Sequence, residues 1–447
     1  MKSNKVTQKL KRRVTTSDKL DLYGHSKQLQ RRWDMLEKEF PQYMKKIQEY
    51  DDVFVSESMS TVARLNNVKA IHSLTKILVL KEYDWNTITE YQVKRLVTFI
   101  MERWADPEGK ETWHTADHKK FLTMFVRWLK TGRRKFDKRY SEPEEIRNIS
   151  IKRVEKKLTR EDLLTSDERK ELVDACGSNL RDRALISFHD EAGSRAGETL
   201  NMRIGSIEFL NNGGAIIHVN GKTGKRPIHV IKCVPDLASW MNVHPNNKDK
   251  SAPYWINMGT NQKSQHLTYA AARRIVLRTV QKAIKNARAK NLDSTLSNKR
   301  VFLTLMRHGE ITRTSKWMPQ QISKKRHGWT PQSNMLGTYE HLDQSDVGES
   351  VFNHYGIVPG QNEEEDLEIP KTCNICQKLN SPNSEICSQC GKPLSLKIAL
   401  AQEEKSEQTL QKMEQRMLEI DAKLQRDATA NESKIKQLEK QIAESNS

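Results

Sequence analysis

The chain has 447 residues, enough for two or three domains that each bury a core of their own. Its 76 lysines and arginines outnumber its 57 aspartates and glutamates, and the net charge of +19 favours a polyanion such as nucleic acid as partner, although some basic proteins are merely soluble. No run approaches the roughly 20 apolar residues of a membrane helix, and no apolar secretion segment follows the basic N-terminus, so the sequence argues against a membrane protein and predicts a soluble, cytoplasmic, nucleoid-associated one.

The first third of the chain is predicted to be helical. Residues 1–50 are expected to form a basic helical extension, and residues 51–142 a helical, DNA-binding domain. Apolar residues in this second segment recur at spacings of three and four, as one face of a helix requires. They include Val62, Leu65, Val68, Ile71, Leu74, Ile77 and Leu78. Residues 143–157 are charged and weakly apolar, which predicts a linker.

Residues 158–357 are predicted to form a second domain, helical with a small sheet. Two short β-type runs, Ala215 to Val219 and Pro227 to Ile231, are joined by a glycine-rich basic segment, which predicts a β-hairpin. Helices are expected before it, from Arg181 to Ala192, and after it, from Tyr269 to Ala287. The predicted fold class is therefore mainly α with a small β-sheet (α+β).

Four of the six cysteines form two close pairs near the C-terminus, within residues 370–394. The pairs Cys373/Cys376 and Cys387/Cys390 have the spacing of a four-thiolate zinc ribbon, and Gly391 suits the tight turn after a ligand. Redox-active or chance pairs are the alternatives. We expect a structural Zn²⁺, because four thiolates leave no open position for catalysis.

Residues 395–447 are predicted to form a C-terminal helix, because Gly and Pro are absent from this part of the sequence. Apolar residues follow a three-four repeat that is typical of a coiled coil. They are Leu410, Met413, Met417, Ile420 and Leu424. The repeat is short, so the sequence is equally compatible with oligomerisation through a coiled coil and with a single helix that is solvated or packs within the chain.

Three basic side chains lie in motifs suited to holding a phosphate. Arg195 precedes Glu198 by one helical turn, so the carboxylate could fix a guanidinium that clamps phosphate oxygens, although ordinary surface pairs share this spacing. Arg307 lies among apolar neighbours and needs an anion, which an internal carboxylate could also supply. Lys222, at the hairpin tip, is either a mobile phosphate ligand or a solvated surface lysine, and Ile216 stands where a nucleotide-binding P-loop needs its first glycine.

A fourth motif, residues 328–342, contains Trp329 and Tyr339. The four motifs, in this order, resemble the catalytic domain of the tyrosine recombinase (phage integrase) family, in particular its archaeal integrase-like members. The resemblance covers residues 157–357, and the helical domain before them is similar to the family's core-binding domain. The chain departs from the family at Thr304, where relatives have a histidine for which the neighbouring His308 is an imperfect substitute. Trp329 stands where many relatives have histidine.

The resemblance implies a site-specific DNA recombinase that works without ATP or a catalytic metal. Tyr339 would attack a phosphodiester to form a 3′-phosphotyrosyl bond, while Arg195 and Arg307 stabilise the negative charge and Lys222 protonates the leaving 5′-oxygen. Double-stranded DNA is the implied partner, and a homotetramer on DNA the implied assembly.

Three other functions stay open from the sequence: a type IB topoisomerase-like enzyme, a non-catalytic DNA-binding regulator with a decayed core, and a zinc-dependent nuclease. The last is the least supported, because no cluster of carboxylates or histidines lies near the basic motifs. If Tyr339 is not the nucleophile, Tyr355 is the next candidate.

Overall fold

The structure is a computed structural model that describes residues 21–152, 154, 158–211, 213–221, 224–259, 265–342, 344–354, 370–382, 384–395 and 408–426, with 398, 405, 431 and 434 as single residues. The described chain is mainly helical with two small antiparallel sheets, which confirms the predicted fold class. Lys222 and Tyr355 lie outside these residues. No helix in the described ranges is long and apolar enough to cross a membrane.

Six helices form the N-terminal part of the described chain. They are α1 (His25–Glu39), α2 (Met44–Ser56), α3 (Thr61–Leu80), α4 (Glu90–Trp104), α5 (Trp113–Thr131) and the short α6 (Glu144–Arg147). The side chains of Ser60, Thr89 and Thr112 accept hydrogen bonds from the first turns of α3, α4 and α5, as helix-capping residues do. These caps fix where the three helices begin.

One hydrophobic core joins these six helices, and we call it the N-terminal core. Leu29 and Trp33 of α1 pack in the same cluster as Leu74 of α3 and Phe125 of α5. The residues predicted as a separate extension, 1–50, therefore share a core with residues 51–142 from position 29 onward. The division of the chain into domains stays a prediction.

The central part of the chain contains a three-stranded antiparallel sheet and nine helices in the described ranges. The strands are β1 (Ile207–Phe209), β2 (Ala215–Gly221) and β3 (Gly224–Val230), in the order β1-β2-β3. The helices before the sheet are α7 (Ser166–Ala175), α8 (Leu180–Ala192) and α9 (Ala196–Leu200). Those after it are α10 (Val234–Val243), α11 (Tyr269–Ala289), α12 (Leu303–Ser315), α13 (Gln320–Arg326), α14 (Leu336–Tyr339) and α15 (Gln344–His354).

The hairpin of β2 and β3 has longer arms than the sequence predicts. Ladder pairing continues to Gly221 and Gly224, so the connection is shorter than the predicted glycine-rich tip. Ala215, Ile217 and Val219 are buried while His218 and Asn220 are exposed, the alternation expected of a sheet with one face on a core. The buried face belongs to the central core, which also contains Phe188 of α8.

A two-stranded sheet, β4 (Lys371–Thr372) and β5 (Leu379–Asn380), lies within the cysteine-containing segment. Leu379 packs against the central core, so this small unit contacts the larger one. Residues 408–426 are helical.

Candidate active site

A tight turn after α8 brings Arg195 to the centre of the site. The helix ends at Gly193, which has a left-handed backbone with φ of 53°. A Cβ atom added at this position would lie 2.7 Å from Cγ of Glu310, so the turn needs glycine for both its conformation and its space. Arg195 then forms the N-cap of α9, and its guanidinium Nη2 donates to the carbonyl of Gly328 at 3.4 Å.

Glu198 holds two guanidinium groups side by side. Its side chain is 2 % exposed and accepts hydrogen bonds from the backbone N–H of Arg195 at 3.0 Å, from Nη1 of Arg195 at 2.9 Å and from Nη2 of Arg226 at 2.7 Å. Burial raises the pKa of Glu198, but the charges of Arg226 and Arg195 and the bonds from Arg195 outweigh it, so the pKa lies below its ordinary value. The carboxylate therefore stays ionised at neutral pH.

The end of the β2–β3 hairpin packs directly on this ion cluster. A side chain at Gly221 would collide with the Glu198 carboxylate, so the strand approaches Glu198 as closely as its backbone allows. Lys222 follows Gly221 in the sequence and lies outside the described residues, so its predicted role stays a prediction.

Arg307 is the most deeply buried cation of the site, with 2 % of its surface exposed on α12. Its guanidinium donates to the backbone carbonyls of Gly193 and His327, the latter at 3.0 Å. Within the described chain no carboxylate forms an ion pair with it, and its Nε has no hydrogen-bond partner there. Burial, followed by the charge of Arg195, lowers the pKa of Arg307 to about 10, which leaves it protonated at neutral pH. The internal carboxylate considered from the sequence is thus not seen as a direct partner.

Tyr339 ends the short helix α14 and lies over Arg307. Its ring centroid is 5.1 Å from Cζ of Arg307, and the Trp329 ring is 5.2 Å from the same atom, which are cation–π distances. The two rings are 5.5 Å apart. Thr312 of α12 donates to the carbonyl of Tyr339 at 3.4 Å and accepts from the N–H of His341 at 3.2 Å. These bonds attach the tyrosine segment to the helix that carries Arg307.

The ring of His308 lies against Tyr339 and contacts a second histidine, His341. The His308 ring centroid is 4.5 Å from that of Tyr339, and Nδ1 of His308 is 3.0 Å from Nε2 of His341. Thr304, which stands where the resemblance noted in the sequence would place a histidine, is exposed on α12. Of the residues predicted for the site, the structure thus brings together Arg195, Arg307, Trp329 and Tyr339, with Glu198 and His308 beside them.

Sequence reasoning missed Arg226 and His327. Arg226 pairs with the buried Val219 in the hairpin and lies on the same face as Ile228 and Val230, so the alternation along β3 was a signal that its side chain points inward. A Cβ atom at Gly328 would lie 2.7 Å from Nε of Arg226 and 3.4 Å from Nη1 of Arg195. Glycine there allows both arginines to approach the backbone.

His327 is fully buried and serves mainly through its backbone. Its carbonyl accepts from Arg307, and its Nε2 lies 3.4 Å from Oγ1 of Thr314. Burial, then the charges of Arg307 and Arg326, lowers the pKa of His327 to about 2, so its ring is neutral. The sequence motif singled out Trp329, two residues later, and gave no indication of a role for His327.

The four cysteines near the C-terminus form a separate cluster that could bind a metal ion. Their Sγ atoms all lie within 4.8 Å of one another, with Cys373 and Cys390 at 3.6 Å and Cys376 and Cys387 at 3.5 Å. Four thiolates around Zn²⁺ at about 2.3 Å would lie about 3.8 Å apart, so the cluster fits a tetrahedral ion.

Equivalent turns follow the two cysteine pairs. The N–H of Gln377 donates to the backbone carbonyl of Cys373, and the N–H of Gly391 to the backbone carbonyl of Cys387, each at 2.9 Å. Both residues have positive φ, 58° and 70°, as the turn predicted for Gly391 requires.

Comparison with known proteins finds a family match for the central segment. Residues 162–345 match the sequence model of the phage integrase family. No curated protein matches the chain. Among solved structures, the chain is similar to the XerH site-specific recombinase bound to palindromic difH substrate, with 16 % identity, 75 % of this chain and 93 % of that chain covered, and a TM-score of 0.47. It is also similar to a lambda integrase tetramer bound to a Holliday junction, with 14 % identity, 65 % and 75 % covered, and a TM-score of 0.47.

Proposed function

We propose, on the premise that residues 162–345 are a phage integrase family domain, that this protein is a site-specific recombinase that cleaves and rejoins double-stranded DNA through Tyr339. The observation that carries the proposal is the position of the Tyr339 ring, 5.1 Å from the Arg307 guanidinium. Arg307 lacks an ion-pair partner among the described residues, and a buried guanidinium without one suits an anionic substrate. A backbone phosphate is such an anion.

In the proposed reaction the phenolic oxygen of Tyr339 attacks the phosphorus of a phosphodiester. The new bond is a 3′-phosphotyrosine, and the bond that breaks releases the 5′-oxygen, which takes a proton from Lys222. The phenol proton must leave as the attack proceeds, because a neutral phenol with an ordinary pKa near 10 is a weak nucleophile. A 5′-hydroxyl from a second duplex reverses these steps and reseals the strand, so no ATP is consumed.

Arg195 and Arg307 act as fixed donors toward the non-bridging phosphate oxygens. Glu198 orients Arg195 with two hydrogen bonds, and two backbone carbonyls orient Arg307. Donors that are fixed before the reaction need no reorganisation when charge accumulates on the phosphate, and removing one typically costs about 10²- to 10³-fold in rate. Trp329 shields the Arg307 guanidinium from water on one side.

We further propose that His308 and His341 take the place of the family's missing histidine as the proton acceptor for Tyr339. His308 is 8 % exposed and its ring lies against Tyr339, so a proton reaching it can pass to His341 across the 3.0 Å contact. Thr304 is exposed and has no basic group, which makes it unsuited to this role.

The cysteine cluster has a structural role in this proposal. Cys373, Cys376, Cys387 and Cys390 would bind Zn²⁺ as four thiolates and hold the two short strands together. The partner we propose is double-stranded DNA, bound by a homotetramer.

Covalent trapping tests the function. We expect the protein, mixed with nicked genomic DNA fragments and denatured with SDS, to retain a covalent DNA adduct whose nuclease-digested peptide contains phosphorylated Tyr339. Tyr339→Phe should abolish the adduct while leaving duplex binding nearly intact, and Tyr355→Phe is the matched control that should keep it. An adduct that persists in Tyr339→Phe would remove this residue as nucleophile. Exchange of strands between two labelled duplexes, rather than relaxation of one supercoiled circle, distinguishes a recombinase from a topoisomerase.

A further inference from the structure

The helix at residues 408–426 carries an apolar stripe that no described part of the chain covers. The stripe consists of Leu410, Met413, Met417, Ile420 and Leu424, each between 54 % and 68 % exposed. Apolar residues at alternating spacings of three and four lie on one side of a helix, at the positions called a and d in a coiled coil. Leu418 is 69 % exposed but lies off this side.

The charged residues that flank the stripe are segregated by sign. Glu414 and Asp421 follow the d positions along one edge, and Arg416 and Lys423 precede the a positions along the other. All four are exposed, and none forms an ion pair within the described chain. One edge of the stripe is therefore acidic and the other basic.

This arrangement determines which partner helix fits. When two copies of the helix pair in parallel, the basic edge of each faces the acidic edge of the other, and Arg416 of one copy meets Asp421 of its partner. An antiparallel pair would instead place basic edge against basic edge and acidic against acidic. A parallel second copy of the same helix is the arrangement that satisfies both the stripe and the charges.

We propose that residues 408–426 pair with the same helix of a second copy of this protein in a parallel, in-register two-stranded coiled coil. The stripe spans only about two heptads, so the pair is weak between free molecules. The pairing on DNA rests on the proposed function. Two copies bound to one duplex raise each other's local concentration to about the millimolar range, which favours a weak pair. The helix would then join neighbouring copies on DNA.

Site-directed disulfide formation tests the orientation. In a parallel pair the two Ile420 side chains face each other, so Ile420→Cys in the full-length protein should form an oxidised dimer above the background of the unmodified chain. The dimer should increase when sheared duplex DNA is present. Ala422→Cys, on the outer face of the same helix, is the control and should form no oxidised dimer above background, with or without DNA. Equal dimer from both variants, or none from Ile420→Cys with and without DNA, overturns the proposal.

Substitutions at neighbouring positions test the stripe and its charged edges. In the Ile420→Cys background, Met417→Asp should reduce the dimer more than about tenfold, whereas Leu418→Asp, equally exposed but off the stripe, should leave it unchanged. Arg416→Glu should weaken it roughly three- to tenfold, and adding Asp421→Lys should restore it. Failure of that rescue would contradict the parallel arrangement. All measurements can use Tyr339→Phe, so their outcome is independent of DNA cleavage.

Discussion

Glu198→Ala is the substitution whose effect follows most directly from the geometry of the site. It removes a carboxylate that is 2 % exposed and leaves the Arg195 and Arg226 guanidinium groups, 32 % and 11 % exposed, facing each other. Breaking a buried ion pair by removing one partner costs about 3–5 kcal/mol in the free energy of unfolding. With an urea dependence of about 2 kcal/mol per molar, the unfolding midpoint should fall by roughly 2 M.

Urea denaturation followed by tryptophan fluorescence measures this loss, because Trp240 and Trp255 are fully buried in the core that contains the site. Glu208→Ala is the matched control, since its carboxylate is 60 % exposed and lies 3.8 Å from His218 on the same sheet. We expect no measurable change in the unfolding midpoint for Glu208→Ala. A loss below about 1 kcal/mol for Glu198→Ala would refute the buried ion cluster.

The lowered pKa of Glu198 also predicts how the stability contributed by its carboxylate depends on pH. A carboxyl whose folded pKa lies below its unfolded value of 4.5 contributes stability above that value, and the contribution is lost as pH falls through the folded pKa. The difference in the free energy of unfolding between wild type and Glu198→Gln should therefore be largest at neutral pH and shrink below about pH 4.5. A difference that grows in acid would contradict the assigned ion pairs.

The remaining predictions concern the turn, the histidines and the cysteines. Gly193→Ala should slow cleavage at least tenfold, because its Cβ would displace Glu310 and the carbonyl that Arg307 uses, whereas Gly132→Ala, also at positive φ but with nothing within 4 Å, should leave the single-turnover rate unchanged. His308→Gln should lower the single-turnover cleavage rate while leaving duplex binding unchanged, and an unaltered rate would exclude the proton-acceptor role. Cys387→Ser should reduce the bound zinc measured by atomic absorption from one ion per chain, and an unchanged metal content would contradict the four-thiolate site.

Most of the fold could be predicted because helix periodicity and glycine placement are local signals. The predicted helix from Tyr269 to Ala287 is observed at Tyr269–Ala289, and the one from Arg181 to Ala192 at Leu180–Ala192. The packing of α1 into the N-terminal core was not predicted, because a helix of residues 25–39 with many charges gives no indication of which distant helix covers its apolar side. Long-range packing depends on shape, which the spacing of residues does not encode.

The sequence could predict those residues of the candidate site whose chemical type the proposed reaction requires. It could not predict residues whose place depends on packing against a distant part of the chain. Arg195, Arg307 and Tyr339 stand in motifs whose order along the chain resembles that of the tyrosine recombinase family. Arg226 was treated as part of a basic hairpin, because a basic residue beside a turn is usually solvated. Its burial depends on Glu198, and that pairing joins elements 28 residues apart.

For the proposed reaction, the charge balance of the site favours the transition state over the bound DNA substrate. Among the described residues of the site, Arg195, Arg226 and Arg307 carry three positive charges against the single negative charge of Glu198, which leaves an excess of two, and the Lys222 of the proposed mechanism would raise it to three. A phosphodiester in the ground state carries one negative charge, and adding a phenolate at phosphorus raises this to two in the transition state. The excess therefore matches the transition state better than the substrate, and the burial of Arg307 strengthens that interaction by excluding water. Binding energy spread over the many other basic residues of the chain contributes to both states equally, so it cannot replace these guanidinium groups in catalysis.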